Sequence, residues 1–233
     1  MLNGNGRLSD RSSRDWAIQF ALSYFGLDEA ALDKIAGKKG QEFFKRLWRE
    51  HKEDFYHFPE IVLRQEWFHA VRLNRGCSDF YEQLEDNLLL DFGCGTAETE
   101  RSLWIDKGQK TVLMDIEGPN FEYIKAKYSD LAVDFHTING ALPHSYDGFL
   151  CLDVLEHIPQ PISCLKALWE NLKPGGQALI WFDPSYPYPG HLKESVNQIS
   201  LYDRWLLKNT TIIKQEDFFD WVEKPKRFWR IWN

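Results

Sequence analysis

Two hydrophobic periodicities divide this 233-residue chain. From Asp15 to about Asn74 apolar residues recur at the spacing of amphipathic helices: Trp16, Phe20 and Tyr24 lie four apart, and Phe43, Phe44, Leu47 and Trp48 form a second stripe. A third helical run, Glu60 to Asn74, begins after Pro59 and stops before Gly76, residues that respectively open and close helices. After Asp86 the pattern changes to short apolar runs alternating with helical stretches, the signature of a parallel sheet covered on both faces. Strands are predicted at 87–92, 110–115, 132–137, 146–151 and 177–183, with helices at 96–107, 119–129 and 160–172 in the gaps. A helix over 192–208 then leads to Thr-Thr-Ile-Ile-Lys (210–214) and, after Pro225, to Phe-Trp-Arg-Ile-Trp (228–232). Two strands that near in sequence leave no room for a crossover helix and should pair antiparallel. The chain therefore reads as a helical cap over residues 1–86 and an α/β domain over 87–233, with residues 1–13 a frayed terminus.

The ten residues Leu88 to Ala97, Leu-Leu-Leu-Asp-Phe-Gly-Cys-Gly-Thr-Ala, end an apolar strand in an acid and then break into alternating glycines. Such a turn lets a nucleotide-like ligand sit against bare backbone. Asp91 stands two residues before Gly93, which carries a carboxylate to the C-terminal end of the strand, where open α/β sheets bind ligands. A cationic or hydroxyl-bearing cofactor is implied. The second strand, Thr-Val-Leu-Met-Asp, ends in Asp115, 24 residues after Asp91 (115 − 91), the place of an acid that holds a ribose diol. A nicotinamide dinucleotide shares that acid, but its fingerprint requires a third glycine where this chain has Glu98, a charge that would meet the pyrophosphate.

With 43% apolar and 27% charged residues the chain can bury one substantial core. A formal net charge of −7 argues against wholesale coating of a nucleic acid. Cys77, Cys94, Cys151 and Cys164 form no C-x-x-C pair, the first residues have no apolar signal core, and no apolar run approaches a membrane span, so a cytoplasmic protein is expected.

In its motifs the chain resembles a class I S-adenosylmethionine-dependent methyltransferase of the small-molecule type, from about Leu88 onward. Asp91-Phe-Gly93-Cys-Gly95-Thr-Ala97 is similar to that family's first motif, Asp115 to its ribose acid, Asn139-Gly140-Ala141 to its adenine-side loop, and Leu172-Lys-Pro-Gly-Gly176 to its turn before strand five. Tyr146 to Pro159 is similar to the fourth-strand region of ubiquinone- and menaquinone-pathway enzymes. The resemblance implies a Rossmann-like α/β fold, a seven-stranded sheet with an antiparallel last strand, under the helical cap. It implies S-adenosyl-L-methionine as cofactor, with Gly93 and Gly95 along its methionyl part and ribose, Asp91 at its ammonium and Asp115 on the ribose hydroxyls. Ile116 would pack on the adenine, Asn139 and Gly140 meet the ring edge, and Cys151 and Leu152 line the methionine side. The expected reaction is methyl transfer to an oxygen or nitrogen of a small acceptor, with a tRNA or protein methyltransferase and a non-catalytic binding protein as alternatives.

His157, beside Glu156 after the fourth strand, is either a general base with a pKa of about 6.5 or a residue packing the next helix. Asp153, Glu156 and His157 resemble the Glu-x-x-Glu-His that holds a divalent metal in certain ubiquinone O-methyltransferases; no metal is expected here. The stiff loop Phe182 to His191, with three prolines, is either an acceptor wall contacting through Tyr186, Tyr188 and His191 or a structural turn. Tyr56, Phe58, Arg64, Trp67 and His69 of the cap are either packing residues or a cover for the cofactor, with Arg64 available to its carboxylate.

Overall fold

The structure is a computed structural model, described for residues 14–28, 30, 37–72, 78–84, 87–97, 104–138, 141–143, 145–185, 187–216 and 219–226. Among the described residues, the helices before the sheet are α1 (Arg14–Tyr24), α2 (Gly37–His51), α3 (Glu60–Arg72) and α4 (Ser78–Gln83), with a 3-10 turn over Lys52–His57 between α2 and α3. The sheet contains β1 (Leu89–Phe92), β2 (Thr111–Asp115), β3 (Val133–Thr137), β4 (Tyr146–Leu152), β5 (Leu172–Trp181), β6 (Thr211–Glu216) and β7 (Phe219–Glu223) in the order β3-β2-β1-β4-β5-β7-β6. Helices α5 (Pro119–Lys127), α6 (Pro161–Asn171), α7 (Lys193–Val196) and α8 (Ile199–Asn209) connect the strands.

The five strands of the first half are parallel, and β7 runs antiparallel to both β5 and β6. Every residue of β1 and β2 is buried, as expected for apolar runs sandwiched on both faces, whereas edge strand β3 exposes Asp134 and His136. On one face Leu90, Phe92, Val112 and Met114 pack against α6 and α8 through Leu165, Leu168 and Trp205. On the other face Leu113, Phe121 and Ile124 share a cluster with Phe20, Phe44, Ile61 and Leu63 of the helical region. The helical stripes of the sequence thus find their apolar partner on the sheet domain itself.

The sequence expectations need four corrections. The antiparallel partner of residues 211–216 is Phe219–Glu223; the 228–232 segment lies outside the described residues, as do residues 1–13 and Trp229 and Trp232. Phe219 and Trp221 point inward with Asp220 between them half-buried, a period-two signal that the sequence carried. Strand five starts at Leu172 because the chain leaves α6 directly into pairing with Tyr146, and its Gly-Gly segment is a register shift, with Gly175 at φ +80°. The helix expected over 192–208 is broken at Asn197 and Gln198 into α7 and α8. Of the 96–107 helix, the described part ends in a 3-10 turn over Ile105–Lys107.

Candidate active site

The glycine turn is built as its residue types require. Gly93, Gly95 and Ala97 have φ of +74°, +56° and +52°, in the left-handed region that favours glycine. The N–H groups of Gly93 and Cys94 donate to the Met114 carbonyl (2.8 and 3.0 Å), which ties the turn to the end of β2. A Cβ at Gly93 would overlap the Val154 side chain, and one at Gly95 would lie 2.7 Å from Oε1 of Gln65 in α3. The backbone here is bare because its neighbours occupy the space of a side chain.

Asp115 receives two backbone hydrogen bonds, from Gly95 N–H to Oδ2 (2.6 Å) and from Ile116 N–H to Oδ1 (2.7 Å). Burial pushes its carboxyl up to about 6, and those two bonds oppose the rise. A ligand whose hydroxyls need the ionised carboxylate should therefore bind more weakly below pH 6. With one proton competing, the affinity for S-adenosylhomocysteine at pH 5 is expected to be about tenfold below its plateau at pH 7.5. Calorimetric titrations at both pH values check this, with Asp115→Asn expected to abolish the difference.

Gly93, Gly95, Asp115, Ile116, Leu152, His157, Tyr188 and His191 all line one cavity of about 330 Å³ at the C-terminal ends of the strands. Asp91 and Cys151 do not line it. Cys151 is fully buried in the core facing α6, so strand alternation presents Leu152 to the cavity instead; Asp91 is buried within β1 behind the turn. Asn139, Gly140 and Tyr186 lie outside the described residues. From the cap, Tyr56 and Arg64 reach the cavity. Phe58 instead packs against His51 with ring centroids 4.7 Å apart and planes tilted by 52°, and the side chains of Trp67 and His69 are outside the described residues. Trp221 packs on Phe80 and donates to Gln177 Oε1, a structural role.

Among the lining residues that the sequence did not single out are two side-chain amides, Gln65 and Asn120. Each places a buried side-chain oxygen, Oε1 and Oδ1, with no hydrogen-bond partner among the described residues. Unmet buried acceptors are costly, and they suit a ligand rich in donors such as an ammonium group and ribose hydroxyls. A cofactor of the S-adenosylmethionine type therefore fits the bare glycine backbone, the clamped Asp115 and this pair of acceptors.

The same cavity also gathers further titratable groups. Burial, with the neighbouring His191 adding to it, lowers His157 to about 4, so its ring is neutral at pH 7. Burial and the Asp153 charge raise Glu156 to about 9, which keeps that acid protonated. Asp153 sits at φ +55°, a strained backbone for a non-glycine residue at the end of β4. His191 accommodates both sides of the loop: its Nδ1 lies 2.6 Å from the Ser185 carbonyl and its ring 4.9 Å from that of His157. Asp153, Glu156 and His157 do not converge on one point. Glu156 groups with His157 and His191, and separately with Asp153 and Asp183, and no cluster among the described residues holds the whole Asp-x-x-Glu-His set.

Residues 90–180 match a family model described as a methyltransferase domain. Among curated proteins, the chain is 31% identical over 118 residues to the ubiquinone biosynthesis O-methyltransferase of Nitrosospira multiformis, covering 45% of this chain and 46% of that one. It is 34% identical over 107 residues to the enzyme of that description from Saccharophagus degradans, covering 40% and 42%. The chain thus spans less than half the length of these relatives. Among solved structures it is similar in fold to the Burkholderia thailandensis 1,6-didemethyltoxoflavin-N1-methyltransferase with bound 1,6-didemethyltoxoflavin and S-adenosylhomocysteine (TM-score 0.54, 16% identity, 82% of this chain and 92% of that one). A similar likeness holds to PigF with S-adenosylhomocysteine (TM-score 0.55, 17% identity, 94% and 69%).

Proposed function

We propose that the chain is a class I S-adenosylmethionine-dependent methyltransferase that transfers a methyl group to an oxygen or nitrogen of a small molecule, with His157 as general base, a reading supported by the methyltransferase-domain match over residues 90–180. One observation carries the reading: the clamped Asp115 and the glycine turn share a single cavity with His157 and His191. Cofactor-holding and proton-handling groups that face the same space favour turnover over a purely structural ligand site.

When bound, S-adenosylmethionine supplies a methyl carbon made electrophilic by its sulfonium. Asp115 accepts from the ribose hydroxyls, Gly93 and Gly95 offer backbone to the methionyl part and ribose, and Ile116 packs on the adenine face. Asn139 and Gly140 meet the ring edge, and Leu152 covers the methionine side. Asp91 acts from behind the turn through water on the cofactor ammonium, and Cys151 supports Leu152 from the core. Arg64, which lines the cavity and donates to the Tyr188 hydroxyl at 3.1 Å, would turn to the cofactor carboxylate on this reading. At the other end, Tyr186, Tyr188 and His191 hold the acceptor, and neutral His157 receives its proton. Fixing donor and acceptor about 3 to 3.5 Å apart in line supplies much of the acceleration.

The helices of residues 1–86 form a lid over the 87–233 domain, which Leu113 and Ile61 support by sharing one apolar cluster. A small acceptor, and not a nucleic acid, suits the net charge of −7. Among the described residues no helix is long and apolar enough to cross a membrane. A reducing cytoplasm suits Cys94, Cys151 and Cys164, which are free thiols. The test is transfer from methyl-labelled S-adenosylmethionine to a panel of small phenols, catechols and amines. Label in at least one product is expected; binding of the cofactor without transfer to any member would favour the non-catalytic alternative.

A further inference from the structure

The cap contributes a side chain whose placement the methyltransferase motifs do not explain. Tyr56, from the 3-10 turn over Lys52–His57, enters the cavity and sets its hydroxyl 3.0 Å from Nδ1 and 3.3 Å from Nε2 of His157, a residue 101 positions away. The two rings meet edge to face at 5.4 Å. Gly190, at φ +89°, makes room for the contact: a Cβ there would overlap the Tyr56 hydroxyl and lie 2.9 Å from the His157 ring. The Gly190 backbone also hydrogen-bonds the imidazole, and His191 packs on its other side. An acceptor that seeks a nitrogen of His157 meets the phenol first.

We propose that Tyr56 is a catalytic residue, whose hydroxyl takes the proton of an acceptor hydroxyl while passing its own to His157, and that the acceptor is accordingly an aromatic or enolic hydroxyl compound. The proposal rests on reading this cavity as the methyl-transfer site. The step balances: the acceptor O–H bond breaks as its proton reaches the Tyr56 oxygen, the Tyr56 O–H bond breaks as that proton reaches His157, the O–CH3 bond forms, and the S–CH3 bond breaks with its electron pair staying on sulfur. One positive charge leaves sulfur and one appears on the imidazole, so the buried site holds the same net charge before and after.

The surroundings suit a neutral bridge. Burial, reinforced by the charges of Asp115 and Asp153 and opposed by Arg64, keeps the Tyr56 phenol protonated, so it hands a proton on in one motion instead of resting as phenolate. Asp183 lies where it favours the imidazolium that results. The apolar residues Ile158 and Pro189, with Tyr188, line this end of the cavity and suit a flat apolar acceptor. A hydroxyl must lose its proton to become an ether, whereas a neutral amine attacks without prior deprotonation. A relay already assembled in the site therefore selects for hydroxyls.

The test compares wild type with Tyr56→Phe, which keeps the ring and removes only the oxygen. Three readouts are taken: transfer to catechol, phenol and aniline, affinity for S-adenosylhomocysteine, and the NMR signals of the His157 ring. The expected result is wild-type transfer to the hydroxyl probes above aniline, an amine that is neutral at pH 7. In the variant, kcat should fall about 100-fold with KM within threefold. Its S-adenosylhomocysteine Kd should stay within twofold, and the His157 ring signals should shift. A loss of kcat below threefold overturns the relay. Wild-type transfer to aniline alone, or cofactor binding with no transfer to either hydroxyl probe, overturns the acceptor class while leaving the cofactor reading standing. Failure of wild type to bind S-adenosylhomocysteine at all would instead sink the underlying function. Should Tyr56→Phe not fold, 3-fluorotyrosine placed at position 56 alone preserves packing and acidifies the phenol. A changed rate then supports the relay, and an unchanged rate overturns it.

Discussion

Replacing His157 with alanine should lower kcat about 10²- to 10⁴-fold and leave the affinity for S-adenosylhomocysteine within twofold. The imidazole lines the cavity but makes none of the hydrogen bonds that hold Asp115, so on the proposed assignment its loss removes a proton acceptor and not a cofactor contact. Burial places its pKa at about 4. The ring is therefore deprotonated throughout the neutral range, as a base must be, but it is a weaker base than an exposed histidine of about 6.5. That mismatch puts the expected loss nearer the lower end of the range. It also means the rate should not decline between pH 8 and pH 6 on account of this residue. Steady-state kinetics on the best acceptor of the panel decide the matter, and a fall of less than threefold would remove His157 from the chemistry.

Lys127→Met should destabilise the protein by about 3 to 5 kcal/mol, the range for removing one partner of a buried ion pair. Lys127 of α5 and Glu66 of α3 are 2.5 Å apart with side chains only 1% and 6% exposed. Tyr123 donates a further hydrogen bond to the same Glu66 oxygen, and the Lys127 ammonium lies 5.1 Å and 5.4 Å from the rings of Tyr123 and Tyr128. Methionine leaves the carboxylate buried with one partner fewer. The double variant Lys127→Met with Glu66→Gln removes both charges, and it should recover much of the loss. Denaturant unfolding measures both. The pair joins the cap to the sheet domain beside the turn, because Tyr128 donates to the carbonyls of Thr96 and Ala97 and Gln65 covers Gly95. A loss below about 1 kcal/mol would show that α3 is held mainly by its apolar face.

What the sequence revealed best was local. The apolar run into Asp91 and the alternating glycines encode strand and turn within ten residues, and Asp115 follows from the position of one strand end. His157 and His191 were legible as single residues on two loops, and parallel β4 and β5 bring their rings to 4.9 Å. The phase of β4 was not legible. Phe149 to Leu152 is apolar throughout because the strand is covered on both faces, so no polar alternation marks Leu152 rather than Cys151 as the lining residue. Gln65 and Asn120 were missed because their places depend on how α3 and the start of α5 dock on the turn. His157 also misled for a tertiary reason: its depressed pKa comes from burial, and elements distant in sequence, including the Tyr56 turn and Gly190, pack around its ring.

Calorimetric titration with S-adenosylhomocysteine and, separately, with NAD tests the central claim most directly, because both ligands would compete for the Asp115 carboxylate and only one suits the turn. The expected result is saturable binding of S-adenosylhomocysteine and none of NAD. Asp115→Ala should weaken S-adenosylhomocysteine about ten- to a hundredfold, as loss of charge-assisted hydrogen bonds of about 1.5 to 3 kcal/mol requires. Tight binding of NAD with no detectable S-adenosylhomocysteine binding would contradict the assignment of this cavity.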